Sequence, residues 1–215
     1  MSILLTIYAG FTHAFESDHI IAVSNMVVKR NKIIKAMKEG MFWGLGHTST
    51  ILLIGILFLF LKYKISPNTY KYLEAIVGVM LVFLGLFRLY QWVIKVKTNR
   101  HNTKNLNLEV HNQSSKKYVN TYLPVYIVGL IHGLAGSGAL LLVIVSQTNT
   151  IANGLKYIFF FGVGSIFGMM IAASLLNLPL SKKIINHKLL QPLLIFITSF
   201  LCIIFGIKII IDNIF

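Results

Sequence analysis

The chain has 215 residues, 56% of them hydrophobic and 12% charged, with a mean hydropathy of +0.75, which leaves too little polar surface to cover a soluble domain and points to an integral membrane protein. Twenty Lys and Arg against six Asp and Glu give a formal charge of +14; because the basic residues stand between apolar runs, they read as topology signals rather than as a nucleic-acid surface. The single Cys202 sits inside an apolar run and excludes an internal disulfide, a CxxC redox pair and a multi-thiolate metal site.

A hydrocarbon core of about 30 Å takes about 20 apolar residues per helix. Six stretches of that order are predicted, near 3–28, 41–61, 72–94, 121–147, 151–176 and 189–211. The first opens directly on Ile3-Leu4-Leu5, without a basic lead or a small-residue cleavage pattern, and is expected to be a mature span rather than a signal peptide. Trp43 and Trp92 fall at the ends of the second and third spans, where their rings are expected at the headgroup level, and Arg88 and Lys208 are placed to snorkel. Pro124 and Pro192 stand near the starts of spans four and six, where a missing N–H costs least.

Lys and Arg counted by loop set the orientation. Lys29–Lys38 holds five, Lys95–Lys117 six and Lys182–Lys188 three, against five in the alternate set of Lys62, Lys64, Lys71, Lys156 and Lys208. The first set is expected in the cytoplasm, with both termini extracytoplasmic. Residues 96–120, rich in Asn, Lys and Ser, read as a flexible cytoplasmic linker between a first unit at 1–95 and a second at 121–215.

The two units resemble each other. Gly10-Phe-Thr-His13-Ala-Phe matches Gly129-Leu-Ile-His132-Gly-Leu, Gly44-Leu-Gly46-His47 matches Gly162-Val-Gly164-Ser165, and Phe83-Leu-Gly85-Leu matches Ile204-Phe-Gly206-Ile. Three spans per unit force opposite insertion, so the expected fold is an all-α membrane protein of six transmembrane helices arranged as two inverted three-helix repeats, with the substrate site near the midplane. Chance similarity among Gly-rich helices is the competing explanation, and close helix packing is the plainer role for most of these glycines.

Polar groups inside spans carry the functional signal. His13, Glu16, Asp18 and His19 lie within seven residues of span one, His47 in span two and His132 in span four. Imidazoles with carboxylates and no thiolate have the composition of a divalent transition-metal site. Counting from the basic loops places His19 level with His47, and His13 level with His132 nearer the midplane. On an ideal helix His13, Glu16 and His19 form one stripe while Asp18 points away. Either Asp18 stands behind the path as counter-charge, or the helix is broken near Glu16–Asp18.

These residues also carry a resemblance. His13 followed after four residues by Asp18-His19, Leu45-Gly46-His47-Thr48, and Gly129-Leu-Ile-His132-Gly133-Leu-Ala-Gly136-Ser137-Gly are similar to motifs of nickel/cobalt transporters, in the six-helix UreH-type urease-accessory branch. The resemblance implies metal handling by His13, Asp18, His19 and His47, with a secondary permease in a bacterial-type plasma membrane and no resident cofactor. Gly136-Ser137-Gly138 stands where the larger relatives carry an acidic motif, which leaves Ni²⁺, Co²⁺, Zn²⁺ and Fe²⁺ as cargo candidates. The implied partners are the lipid bilayer and the ion, with a metallochaperone or a second copy as further candidates. No phosphate-binding loop is present, so ATP hydrolysis is not expected.

Two rivals stand beside this reading. One is a LysE-like exporter of small organic solutes with the same architecture; the other is an intramembrane serine hydrolase using Ser137 with His47 or His132 as base. His101 and His111 in the linker, and His187 at the start of span six, read as solvated.

Overall fold

The computed structural model describes residues 2–27, 32–61, 67–102, 122–135, 148, 150–178 and 190–214. Every regular element among them is helical: α1 (Ile3–His13), α2 (Ser17–Val27), α3 (Ile33–Leu61), α4 (Pro67–Asn102), α5 (Leu123–Ala135), α6 (Ile151–Asn177) and α7 (Leu190–Ile214). Ile33–Leu57 of α3, Lys71–Ile94 of α4 and the whole of α6 and α7 are long and apolar enough to cross a membrane. Large apolar side chains stand outward on all four, including Leu53, Phe83, Phe167 and Phe200, each more than half exposed. Such a surface suits lipid and would drive aggregation in water. The chain is an integral membrane protein.

The first apolar stretch divides. At its centre Ala14-Phe15-Glu16 leaves the α-helical ladder, the Phe15 N–H donating to the Thr12 carbonyl at 2.9 Å and the Glu16 N–H to that of His13 at 3.0 Å, before the Ile20 N–H bonds the Glu16 carbonyl at 3.0 Å and α2 begins. These tighter bonds keep the interrupted backbone paired, as a bilayer interior demands. Neither Gly nor Pro marks the break. Its signal is Glu16-Ser17-Asp18, residue types whose oxygens compete for backbone donors and favour a helix start, with Asp18 in the first turn complementing the helix dipole.

Other ends follow simpler rules. Thr150, in extended backbone, accepts from the Asn153 N–H at 3.3 Å and caps α6. Pro124 and Pro192 occupy first turns, as expected. Two edges differ from the sequence expectation. α3 starts at Ile33, eight residues before the predicted span, because Lys35, Lys38 and Glu39 are good helix formers that prolong an apolar helix into the basic loop. For the same reason α4 continues through His101 to Asn102, so the first residues of the predicted linker are helical; the remainder lies outside the described residues.

α3 and α6 form the spine, packed along one another; α5 lies on α3, α1 on α6, and α4 pairs with α7. α2 reaches across to α4, α6 and α7. Small residues set the close approaches. A Cβ at Gly46 would meet the Tyr126 carbonyl oxygen and one at Gly133 the carbonyl oxygen of His47, so α3 and α5 touch backbone to backbone. Hydroxyls lock the same seams: Thr50 Oγ1 donates to the Leu130 carbonyl of α5 at 2.9 Å, and Thr48 Oγ1 to the Gly162 carbonyl of α6 at 3.2 Å. Gly46→Val is therefore expected to destabilise the detergent-solubilised protein by about 1–3 kcal/mol, read as a lower thermal midpoint. Leu53→Ala, 63% exposed on the same helix, should leave that midpoint in place; equal effects would mean that the α3–α5 seam is not tight.

Candidate metal centre

Five of the six predicted residues converge where α1 ends and α2 begins. His13 closes α1, Asp18 and His19 open α2, His47 stands at mid-α3 just before its two threonine locks, and His132 lies in the last turn of α5. All four imidazoles are essentially without solvent exposure. The ring centroids of His19 lie 4.0 Å from His132, 4.5 Å from His13 and 5.2 Å from His47. The two predicted levels thus merge into one. Six residues of continuous helix would separate His13 from His19 by about 9 Å, and the break removes that separation.

Asp18 is the hub. Its Oδ1 accepts from Nδ1 of His19 at 3.1 Å and its Oδ2 from Nε2 of His132 at 2.8 Å. With those nitrogens donating, the opposite nitrogen of each ring carries the lone pair. The sequence offered two arrangements for Asp18, and the broken helix is the one adopted. Glu16 takes the outer place, its side chain 53% exposed with Oε1 2.9 Å from His13 Nδ1; it does not join the convergent groups.

Among the described residues, His13 Nε2, His19 Nε2, both nitrogens of His47 and His132 Nδ1 are buried without a hydrogen-bond partner. Unpaired buried polar atoms each cost on the order of 1–3 kcal/mol; a neutral His47 keeps a proton on one of its two nitrogens, so one lone pair from each of the four rings remains to call for an electron-pair acceptor. Ligand atoms of His13, His19 and His47 lie within 4.8 Å of one another, and so do those of Asp18, His19 and His132. Around a tetrahedral ion bound at about 2.1 Å, ligands stand about 3.4 Å apart, so either set closes on an ion by an inward shift of its side chains. His19 belongs to both.

A cleft of about 420 Å³ reaches this centre, lined by Glu16 and Asp18 at the break, Glu74 at the start of α4, and Asn213 at the end of α7. Three carboxylates on one wall make it a path suited to cations.

Sequence reasoning misplaced or missed three residues. Trp43, expected at the headgroup level, is fully buried, its ring 5.4 Å from His19 and 5.5 Å from His132; the earlier start of α3 moves it inward. Glu39 is 2% exposed, although its place in a basic loop gave no sign of burial. Arg88 was expected to snorkel and instead donates from Nη2 to the Met26 carbonyl at the end of α2, at 3.4 Å. Ser165, the counterpart of His47 in the second unit, is fully buried, and its Oγ has no partner among the described residues. Gly136, Ser137, Gly138, His111 and His187 lie outside the described residues.

No solved structure matches the chain. Urease accessory protein UreH of Bacillus sp. (strain TB-90) is 37% identical over 202 residues, covering 92% of this chain and 85% of that protein. A family described as cytochrome c biogenesis protein transmembrane region matches residues 9–208. A helical membrane chain matched along nearly its whole length by both belongs to the cytochrome c biogenesis transmembrane-region family and is a relative of the urease accessory protein UreH of Bacillus sp. (strain TB-90).

Proposed function

We propose that the protein is a six-span secondary transporter of divalent transition-metal ions, Ni²⁺ or Co²⁺ foremost, whose cargo pauses at the imidazole cluster. The observation that carries this reading is the convergence of five unpartnered ring nitrogens around one carboxylate. Neutral imidazole is a ligand for first-row divalent ions, and carboxylates that hold the far side of such rings fix their orientation and raise their basicity. The motif resemblance and the kinship with a urease accessory protein support nickel as cargo. Cytochrome c biogenesis, named in the family description, does not extend here to an internal thiol relay, because the chain's one cysteine is buried and has no second thiol to exchange with.

The inverted-repeat plan is supported by how the helices pair. Gly10 faces the Phe161 backbone and Gly129 that of Trp43; Gly78 faces Gly206, and Gly85 faces Ser199. Shifting each first contact by the offsets of the sequence repeat produces the second. The α1–α6 and α5–α3 contacts exchange, and the α4–α7 pair maps onto itself, as a pseudo-two-fold axis in the membrane plane requires. In this plan α1 and α2 together make the first span, α5 opens the fourth, and the cluster sits where the repeats meet. The acidic cleft serves as the extracytoplasmic approach, by the positive-inside orientation. Glu16 and Glu74 attract the hydrated ion there, and Asp18 orders the rings that replace its water.

Calorimetric titration of the purified protein with Ni²⁺, paired with ⁶³Ni uptake into proteoliposomes, tests the reading. Asp18→Asn should weaken binding on the order of 10–100-fold, and His47→Ala should do so at least as strongly. Glu16→Gln, at the half-exposed approach where Oε1 also meets Nδ1 of His13, should slow uptake more than it weakens equilibrium binding. Binding that survives both Asp18→Asn and His47→Ala unchanged would sink the proposal. Since the ion binds neutral imidazoles, which titrate near about 6.5 when unperturbed, protons compete with it. Affinity should accordingly fall as the pH is lowered and protons displace the ion; a flat profile would remove the imidazoles from direct contact with the ion.

A further inference from the structure

A second cavity, about 430 Å³, lies toward the basic loops and shares no residue with the acidic cleft. Among its described walls are Asn25 and Met26 of α2, Glu39 of α3, Arg88 of α4 and Val125 and Val128 of α5. Three of these helices also carry the metal centre, and on each the face that bears a cluster residue runs straight into the cavity. Asp18 and His19 lie seven residues before Asn25 and Met26. His47 lies four residues from Trp43 and eight from Glu39, and His132 lies four and seven from Val128 and Val125. Spacings of four, seven and eight residues hold one helix face, so cavity and cluster are stacked about two turns, roughly 10–12 Å, apart.

Trp43 fills the interval. Its ring is fully buried, in contact distance of His19 and His132 on the cluster side, and its indole Nε1 has no hydrogen-bond partner among the described residues. An indole is an expensive choice for a merely apolar filler, since its N–H needs a partner once buried. We propose that this cavity is the far half of the ion's path, shut off from the imidazole cluster by Trp43, and that Glu39 is the carboxylate station on which the departing divalent cation pauses. The proposal rests on the transport reading above.

The chemistry of the cavity suits release rather than storage. Glu39 offers a carboxylate, Asn25 an amide oxygen and Arg88 a positive charge held toward the Met26 carbonyl. Among the described walls one acid against one base leaves no net negative charge, so a divalent ion is held there more weakly than by four imidazoles. A path conducts only when its later stations let go. The tie between Arg88 and the end of α2 also links the cavity wall to the helix that carries Asp18 and His19.

Single-cysteine variants of the full chain, made with Cys202→Ala and reconstituted in vesicles, test the route without reference to cargo. A cationic, membrane-impermeant thiosulfonate added on the side of the basic loops should modify Glu39→Cys and Val128→Cys, and leave His47→Cys unmodified. Adding Trp43→Ala to His47→Cys should raise its modification rate at least tenfold, whereas Trp43→Phe, which keeps a ring in place, should not. Protection of Glu39→Cys and Val128→Cys equal to that of His47→Cys would overturn the proposal even if the Trp43 variants fail to fold. With ⁶³Ni as probe, Glu39→Gln should cut uptake about tenfold while Ni²⁺ affinity in detergent stays within twofold; unaltered uptake would overturn the role of Glu39. Should the labelling follow this pattern while the unsubstituted protein carries no ⁶³Ni, the metal reading fails and the route stands. Uptake of ⁶³Ni with no labelling at Glu39→Cys means the reverse.

Discussion

Polar atoms stripped of water in a bilayer cost on the order of a few kcal/mol each unless something on the protein satisfies them, and at the centre of this bundle Asp18 satisfies two of them. By accepting from His19 and His132 at once, it ties α2 to α5 and decides which nitrogen of each ring stays open. Most of the surrounding architecture follows from delivering that carboxylate to that place. An unbroken first span would turn Asp18 away from His13, so the helix stops and restarts. A restarted helix needs paired backbone groups, which the bonds at Phe15 and Glu16 provide. The rings opposite must come close, which the glycine contacts of α3 with α5 allow.

The fixed and the adjustable parts of the bundle are held differently. α3, α5 and α6 meet through backbone contacts and hydroxyl locks at Thr48 and Thr50. α2 is tied more lightly, by Asn25 to Ser199 at 3.4 Å, by the Cys202 thiol to the Ile21 carbonyl at 3.5 Å and by Arg88 to Met26. His13 belongs to the first body through α1, and Asp18 and His19 to the second. The candidate metal centre thus lies across a boundary between a closely packed scaffold and a more lightly tied half-helix, an arrangement suited to the access change that the proposed transport requires.

Much of this was legible in the sequence because membranes leave few alternatives. Apolar run lengths located the helices, and intramembrane histidines announced the centre, since such residues are rarely tolerated without a task. The glycines singled out for close helix packing do meet neighbouring backbone, Gly46 that of Tyr126 and Gly133 that of His47. What the sequence left open has physical causes. Whether Glu16 or Asp18 faces the rings depends on a break with no Gly or Pro to mark it, and Ser17-Asp18 is equally compatible with a continuing helix. The burial of Trp43 and Glu39 escaped because the edge of span two was read from hydropathy. A helix that continues past its apolar core carries charged residues inward with it, and only tertiary packing decides which of them meet water.

The length of α1 has an electrical meaning. Eleven residues rise about 16 Å, roughly half of a hydrocarbon core of about 30 Å, so an ion at the break has crossed about half of the membrane field. For a doubly charged ion that half-crossing is worth about 2.3 kcal/mol per 100 mV. For the transport proposed above, a cell that is negative inside would draw an entering cation to the rings and again onward from them in nearly equal steps. Placing the interruption at mid-depth divides the voltage into two comparable drops, so that neither the approach nor the departure draws on the whole of it.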